Sequence, residues 1–464
     1  MGRPAAASPQ ATRGFRQALR TLPRVALGAL RHGVLPAGVA TARTLRHEGW
    51  RGLHWKVLGD GLVRFLRHSG PVFTKLGQIL ATRTDLLPPA LCARLESLYS
   101  EQPPMRPAEL ARALRRAYGR RLPFRDFGAK PIGVGSVGQV HRACLASGEA
   151  AIVKILRPGI EEQIERDLAL ARSLLDLWLG LPRRARPASR ALLERCLDDL
   201  GQACAREADL AQEAAALREF ATRFAGHPHV RVPRCFEALS SQRVIVMEEL
   251  EGEPLSSYRR RAQRDPEAAR RIASLALEEI LRQIFEDGRF HADPHAGNLL
   301  ILEDGRLGII DLGLTGELAR EDRRRIAQAA KAFLARDAEG LIRALLGFGT
   351  LPPGFDAEKF EAEVRELVRG RAQRLVARLR GRKGTDAAEE PNSLEEFVTE
   401  LFGLARSHGI HLPPSTLLLI KALVTIEGVA RSLHPELDLA AAAVPVVLRS
   451  LAPRWLQRLI GARA

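Results

Sequence analysis

Residues Gly288–Gly313, GRFHADPHAGNLLILEDGRLGIIDLG, hold two carboxylates and one carboxamide in a spacing that decides how the whole chain is read. Asp293 is followed five residues later by Asn298 and eighteen residues later by Asp311. Between them, Leu299–Leu302 and Leu307–Ile310 read as two short buried strands joined by the turn Glu303-Asp304-Gly305-Arg306. Such a hairpin brings Asn298 and Asp311 together at its open end. A carboxamide and a carboxylate at one point are hard oxygen ligands suited to Mg²⁺, and a second carboxylate nearby can accept a hydroxyl proton.

Working back from this stretch, residues 228 to 250 show two strands, the second ending V-I-V-M-E-E-L-E-G at Gly252. A strand running into an acidic, glycine-containing crossover has the character of a hinge between two lobes, with Glu248 at its edge. A helix is expected from Asp265 to Asp287. Further back, P-I-G-V-G-S-V-G-Q-V contains G-x-G-x-x-G at Gly133, Gly135 and Gly138, with Ser136 inside it. A dinucleotide site needs a helix after the third glycine and an acidic residue about 20 positions on. Here the continuation is strand, turn at Ala146-Ser147-Gly148, and strand, which instead fits a glycine flap over nucleotide phosphates. Lys154, on A-I-V-K sixteen residues past Gly138, is placed to reach the α/β-phosphates.

Residues 160 to 225 read as long helices broken near 181–187. The second carries R-E-A-D-L-A-Q-E, so Glu207, Asp209 and Glu213 are candidates for the carboxylate that holds Lys154. On one continuous helix Glu207 and Asp209 lie about 200° apart, so the three cannot share a face. Residues 50 to 120 are helical in pattern and contain F-T-K-L-G-Q-I-L, with Lys75 and Gln78 on one face and Pro88-Pro89 ending that helix. After Gly316 the pattern is helical over 317–348, 356–382, 394–408 and 413–433, with a loop at Lys383–Asn392.

Composition narrows the partners. The chain has 464 residues, 46% hydrophobic, and a formal net charge of +17, which suits an anionic partner. Only eight of its 71 basic residues are lysine, so each lysine kept in this arginine-rich background is worth inspecting. Five scattered cysteines without a C-x-x-C pair read as reduced thiols in a cytosolic type of compartment. No run reaches the ~18 apolar residues of a spanning helix. With aromatics at 5% there is no stacking platform, so nucleic acid is not an expected partner. Residues 1–47 hold eight arginines and no carboxylate, and W-L-Q-R-L-I-G-A-R-A at the C-terminus repeats the basic amphipathic pattern. Both ends suit an anionic bilayer surface; the first also fits a mitochondrial transit peptide or an unfolded basic tail.

Glycine flap, strand lysine, helix glutamate, hinge, Asp-x4-Asn loop and Asp-Leu-Gly follow the order of a protein kinase fold. H-A-D-P-H-A-G-N in place of H-R-D-x-x-x-x-N, Lys75-x-Gly77-Gln78 ahead of the small lobe, and Glu207-x-Asp209 together resemble the UbiB/ADCK family of atypical kinases over roughly residues 60 to 330. The resemblance implies an α+β, two-lobed fold: a basic segment at 1–49, a helical extension at 50–122 packing over the cleft, an N-lobe at 123–252, a helical C-lobe at 253–440, and a basic tail at 441–464. It also implies roles. Lys154 would anchor the α/β-phosphates of ATP, with Glu207 or Glu213 orienting it. Gly133, Gly135, Ser136, Gly138 and Glu248 would complete the nucleotide site. Asn298 and Asp311 would hold Mg²⁺, Asp293 would act as the catalytic-loop aspartate, and Lys75 would pair with Glu207 or Asp209.

Two departures stand out. Gly133-Val134-Gly135-Ser136 replaces the family's usual Ala-Ala-Ala-Ser, and Ala296 replaces a proline of the catalytic loop. Glycine admits dihedrals that alanine resists, so a flap looser than the alanine-rich form is expected. The activity implied is ATP hydrolysis, or action on a small or lipidic acceptor, in ubiquinone or related prenyl-lipid biosynthesis at a membrane. The implied partners are ATP, anionic lipids, and prenyl-quinone intermediates or their enzymes. A true protein or small-molecule phosphotransferase, and a non-catalytic ATP-gated scaffold, are the alternatives.

Overall fold

The computed structural model describes residues 50–81, 89–98, 103–179, 187–262, 265–335, 337–348, 351–379, 394–410, 413–435, 437 and 439–452. The basic N-terminal segment, the 383–392 loop and the basic C-terminal repeat lie outside these residues. The described chain forms two compact units. One takes residues up to 215 together with 234–249, and the other takes 216–233 and residues from 250 onward.

In the first unit, α1 (Trp50–Ser69), α2 (Pro71–Ala81) and α3 (Pro89–Leu95) bury Val63, Leu66, Phe73, Leu91 and Leu95 against one another and against Leu170. Helix α2 is described as far as Ala81, the expected stop at Pro88 lies outside the described residues, and Pro89 opens α3, where its missing N–H costs nothing. Helix α4 (Pro107–Tyr118) buries Leu110, Ala113 and Leu114, which are three and four residues apart, so one face meets the sheet. That sheet is built from β1 (Phe124–Phe127), β2 (Gly133–Val134), β3 (Gly138–Leu145), β4 (Ala150–Leu156) and, later in the chain, the strand Val244–Glu248. All its pairings are antiparallel. Its core face carries Ala143, Leu145, Ala151, Val153 and Ile155. Alternation along β4 therefore sends Lys154 to the other face.

Helices α5 (Ile160–Leu179), α6 (Pro187–Glu207) and α7 (Leu210–Arg223) follow. Here one expectation is corrected: Glu207, Asp209 and Glu213 do not lie on one continuous helix. The chain breaks after Glu207, Leu210 N–H donates to Gln242 C=O at 3.0 Å, and Asp209 Oδ1 accepts from Ala211 N–H at 3.1 Å. Asp209 thus starts a new helix as an N-terminal cap. The 200° argument does not apply across such a break.

The second unit starts with β5 (Val230–Arg231), which pairs in parallel with a strand near residue 308 and not with β6 (Val244–Glu248) of the first unit. Its four-stranded sheet runs β5, β10, β9, β7, where β7 is Gly252–Pro254, β9 is Leu299–Leu302 and β10 is Leu307–Ile309; β8 (Arg289–His291) pairs separately with β11 (Thr315–Glu317). After α8 (Leu255–Ala262), helix α9 (Pro266–Arg282) is capped by Asp265, whose Oδ1 accepts from Ala268 N–H at 2.9 Å. The expected helix to Asp287 finishes as a π-helical turn over Gln283–Asp287, closed by Gly288 at φ +78°. Helices α10 (Arg320–Ala335), α11 (Ala338–Phe348), α12 (Ala357–Leu379), α13 (Leu394–Ser407), α14 (Pro414–Leu433) and α15 (Leu439–Leu451) complete the unit. The stretch read as helical over 317–348 is two helices, with Glu317 still in β11. Phe360, Val364, Phe397, Leu401 and Ala405 are the centre of its helical core. Among the described residues no helix is long and apolar enough to cross a membrane, and all five cysteines are free thiols.

Candidate active site

The flap is a short hairpin. Gly133 pairs with Val140 and Val134 with Gln139, and Gly135 N–H closes the tip on Gly138 C=O at 2.9 Å. The three glycines differ in what they allow. A Cβ on Gly138 would sit 2.6 Å from Ile155 C=O, so only glycine lets β3 approach β4 there; at Gly133 and Gly135 a methyl would meet nothing nearer than 3.7 Å. Below the tip lies a buried polar chain that the sequence did not single out. Gln139 Oε1 accepts from Met105 N–H at 2.8 Å, Gln139 Nε2 lies 2.6 Å from His141 Nε2, and His141 Nδ1 lies 2.6 Å from Gly128 C=O. Burial pushes the His141 pKa down, which favours the neutral ring. Polar side chains on a strand that also carries Val and Ala are the signal that could have revealed it.

Lys154 Nζ donates to both carboxylate oxygens of Glu213, at 2.8 and 2.7 Å. The two side chains are only 20% and 8% exposed, so this is a largely buried ion pair. Of the three acids in the helical segment, Glu213 is the one bonded to Lys154. Glu207 pairs with Lys75 on α2, and Asp209 accepts locally from Ala211 N–H and from Gln212 Nε2 at 3.2 Å. Gln78 donates to Leu98 C=O at 3.1 Å. Gly77 is required by contact: a Cβ there would lie 2.3 Å from Leu98 Cδ1 and 2.8 Å from Leu66 Cδ1. Glu248, at the end of β6, accepts from Arg234 N–H at 3.2 Å.

In the second unit the Asp-x4-Asn loop is held mainly through its backbone. His295 N–H donates to Asp293 C=O at 2.8 Å, and Asn298 N–H to His295 C=O at 2.9 Å. The β9–β10 hairpin has the expected register, Leu307 opposite Ile301 and Ile309 opposite Leu299, and Ile310 N–H continues it to Asn298 C=O at 3.0 Å. Asn298 Nδ2 donates to Asp293 C=O at 3.2 Å, so the amide's nitrogen is occupied and its oxygen is the end left to serve as a ligand. Asp311 Oδ1 accepts from Gly313 N–H at 2.9 Å. His291 is wholly buried beside these groups; its backbone N–H donates to Gln283 Oε1 at 3.0 Å, and burial lowers its pKa to about 4.

The donor chemistry can be tested against Mg²⁺. Among the described residues no three His, Cys, Asp or Glu side chains gather as a metal site made of protein groups alone. One carboxylate and one oriented amide oxygen fit a Mg²⁺ that keeps waters and takes its remaining ligands from phosphates. Asp293 has a partner that sequence reasoning missed: Lys421 Nζ of α14 lies 2.9 Å from its Oδ2. Lys421 is one of the eight lysines, so the scarcity that marked Lys75 and Lys154 could have marked it too.

With this geometry in hand, comparison with known proteins is direct. The model of the ABC1 atypical kinase-like domain matches residues 97–345, and that of the UbiB helical domain matches residues 392–438. The Probable protein kinase UbiB of Marinobacter nauticus is 31% identical over 413 residues, covering 87% of this chain and 71% of that protein. The protein of the same description from Sodalis glossinidius is 31% identical over 432 residues, covering 87% and 75%. Among solved structures, the Rv3197–erythromycin complex of Mycobacterium tuberculosis aligns over 96% of this chain and all of that one, with a TM-score of 0.54 at 18% identity, a likeness of fold. Two matched modules, and relatives alike over most of their length, make this chain a member of the UbiB family of atypical, kinase-like proteins with an α+β fold.

Proposed function

We propose that the chain is a Mg²⁺-dependent, ATP-hydrolysing atypical kinase acting at a membrane surface in support of ubiquinone or related prenyl-lipid biosynthesis. The observation that carries the nucleotide part is the Lys154–Glu213 pair, a strand lysine held by a helix carboxylate in the sheet that bears the glycine flap. Kinase-type phosphoryl transfer needs that pairing to present the ammonium to the α/β-phosphates. In this reading Gly133, Gly135, Ser136 and Gly138 cover the phosphates, and Glu248 joins the nucleotide contacts. Asn298 and Asp311 hold Mg²⁺, which when bound neutralises charge on the phosphate oxygens. Asp293 accepts the proton of the attacking hydroxyl group. Lys75, with Glu207 and the neighbouring Asp209, restricts the acceptor to water or a small or lipidic molecule.

The membrane part rests on the net charge of +17 and on the basic amphipathic sequences at both ends. Anionic lipids, and prenyl-quinone intermediates or their biosynthetic enzymes, are the proposed partners, at the cytoplasmic face of a membrane. The test is ATP turnover by the full chain with and without vesicles containing anionic phospholipid, run beside Asp311→Asn. Vesicles should raise turnover, and Asp311→Asn should reduce it to background; unchanged turnover in that variant removes the catalytic reading. A second reading, transfer to a stable acceptor, is favoured by Gly133 and Gly135 in the flap. Labelled ATP should then leave phosphate on something other than water.

A further inference from the structure

Lys421 belongs to the stretch matched by the helical-domain model, whereas Asp293 belongs to the kinase-like domain. Its ammonium lies 2.9 Å from Asp293 Oδ2. The helix that carries it is firmly placed: Ala422, Ile426 and Ala430 of α14 are fully buried, and α14 packs on α9 and β11. Glu427 of the same helix is buried and paired with Arg431 at 2.9 Å. Lys421 itself is not buried. Its side chain is 47% exposed and that of Asp293 is 31% exposed. Ion pairs this open add little to stability, so stability is a weak reason for one here. The carboxylate takes one of the three N–H donors of the ammonium, and among the described residues Lys421 has no other ion pair. The position also holds a compact point charge in a chain where only eight of 71 basic residues are lysine.

We propose that Lys421 is a phosphate-contacting residue of the nucleotide site, so that the helical domain completes the catalytic loop. Held by Asp293, it offers its remaining N–H groups to an oxygen of the terminal phosphoryl group of ATP. The inference rests on the ATP reading given above. In hydrolysis, the water oxygen forms a bond to the γ-phosphorus. The bond from that phosphorus to the β,γ-bridging oxygen breaks, with its electron pair leaving on ADP. The water proton passes to Asp293 and then to solvent. Lys421 keeps its proton throughout and balances the charge that accumulates on the phosphoryl oxygens.

The experiment uses the full chain, with Lys421→Ala and Lys421→Arg, and reads three quantities: Mg-ADP and Mg-ATP affinity, kcat for ATP, and kcat with added methylammonium. Lys421→Ala should keep ADP affinity within threefold of wild type, lose kcat at least tenfold, and regain part of it with methylammonium. Lys421→Arg should fall between. A kcat within twofold of wild type overturns the proposal. So does a loss that methylammonium does not restore and that is matched by weaker ADP binding, because that is the mark of a structural role. A wild-type chain that binds no Mg-ATP removes the nucleotide reading and this inference with it. If the wild type binds Mg-ATP without turnover, the catalytic reading fails alone, and Lys421 is judged by the ATP-to-ADP affinity ratio. A ratio unchanged by Lys421→Ala overturns it.

Discussion

The side chains proposed above for nucleotide and metal are held in place differently in the two units. In the first unit, Lys154 is fixed by a charge 59 residues away, and the pair is largely buried. In the second, Asn298 Nδ2 donates to Asp293 C=O and Asp311 Oδ1 accepts from Gly313 N–H, both backbone groups within five residues. A buried ion pair depends on both partners, because removing one leaves a charge without water or counter-ion. A carboxylate held by a neighbouring N–H can lose its charge with little effect on its surroundings. Each half is therefore vulnerable in a different way: stability in the first, ligand chemistry in the second.

Substituting the charge by an amide in each half is the sharpest test of that contrast. Glu213→Gln should destabilise the fold by about 3–5 kcal/mol in chemical denaturation. Asp311→Asn should change stability by only about 0.5 kcal/mol while abolishing Mg-ATP turnover. Similar denaturation midpoints for the two variants would break the comparison.

A pH series extends it to α2. Asp167 is buried and its Oδ2 has no hydrogen-bond partner, while the Val72 backbone at the start of α2 acts on the same carboxyl and offsets part of the effect of burial. Burial raises its pKa from 3.8 to about 7. The folded state thus binds that proton more tightly than the unfolded chain does. Its contribution to stability is complete below about pH 4 and is lost as pH rises through about 7. Asp167→Asn should flatten the fall of stability over that window; an identical slope in both proteins would show that another group titrates there.

The flap separates two kinds of glycine. Gly138→Ala should cost about 1–3 kcal/mol, because its methyl meets backbone. Gly135→Ala, with room for its methyl, should stay within about 1 kcal/mol of wild type. The smallest effect is expected at Glu207→Gln. Its side chain is 35% exposed, so the loss should be no more than about 1 kcal/mol, against several for Glu213→Gln. Equal losses would mean that exposure does not govern these two pairs.

Legibility followed the range of the interactions. The β9–β10 hairpin could be read in register because its turn, its apolar runs and its terminal Asn298 and Asp311 all lie within fourteen residues. The flap and the Lys154 strand were legible for the same reason. The break at Ala208-Asp209 was not read, because high helix propensity on both sides hid a cap whose stability comes from Asp209 and from a distant carbonyl, Gln242 C=O. Nor was the course of β5, whose partner β10 is more than seventy residues further on. The pairing of Lys421 with Asp293 joins residues 128 positions apart and leaves no local pattern.

Taken alone, the sequence determined the α+β class, the order of glycine hairpin, strand lysine and Asp-x4-Asn hairpin, and the family. These rest on local spacing, turn residues and alternation, which act over a few residues. Only the tertiary structure decided which carboxylate holds Lys154, that Lys75 takes the other, that Asp209 is a cap, and that a lysine of the helical domain reaches Asp293. Each of these is a contact between side chains on separate elements. Its partner is chosen by packing geometry, and burial sets how much the choice matters.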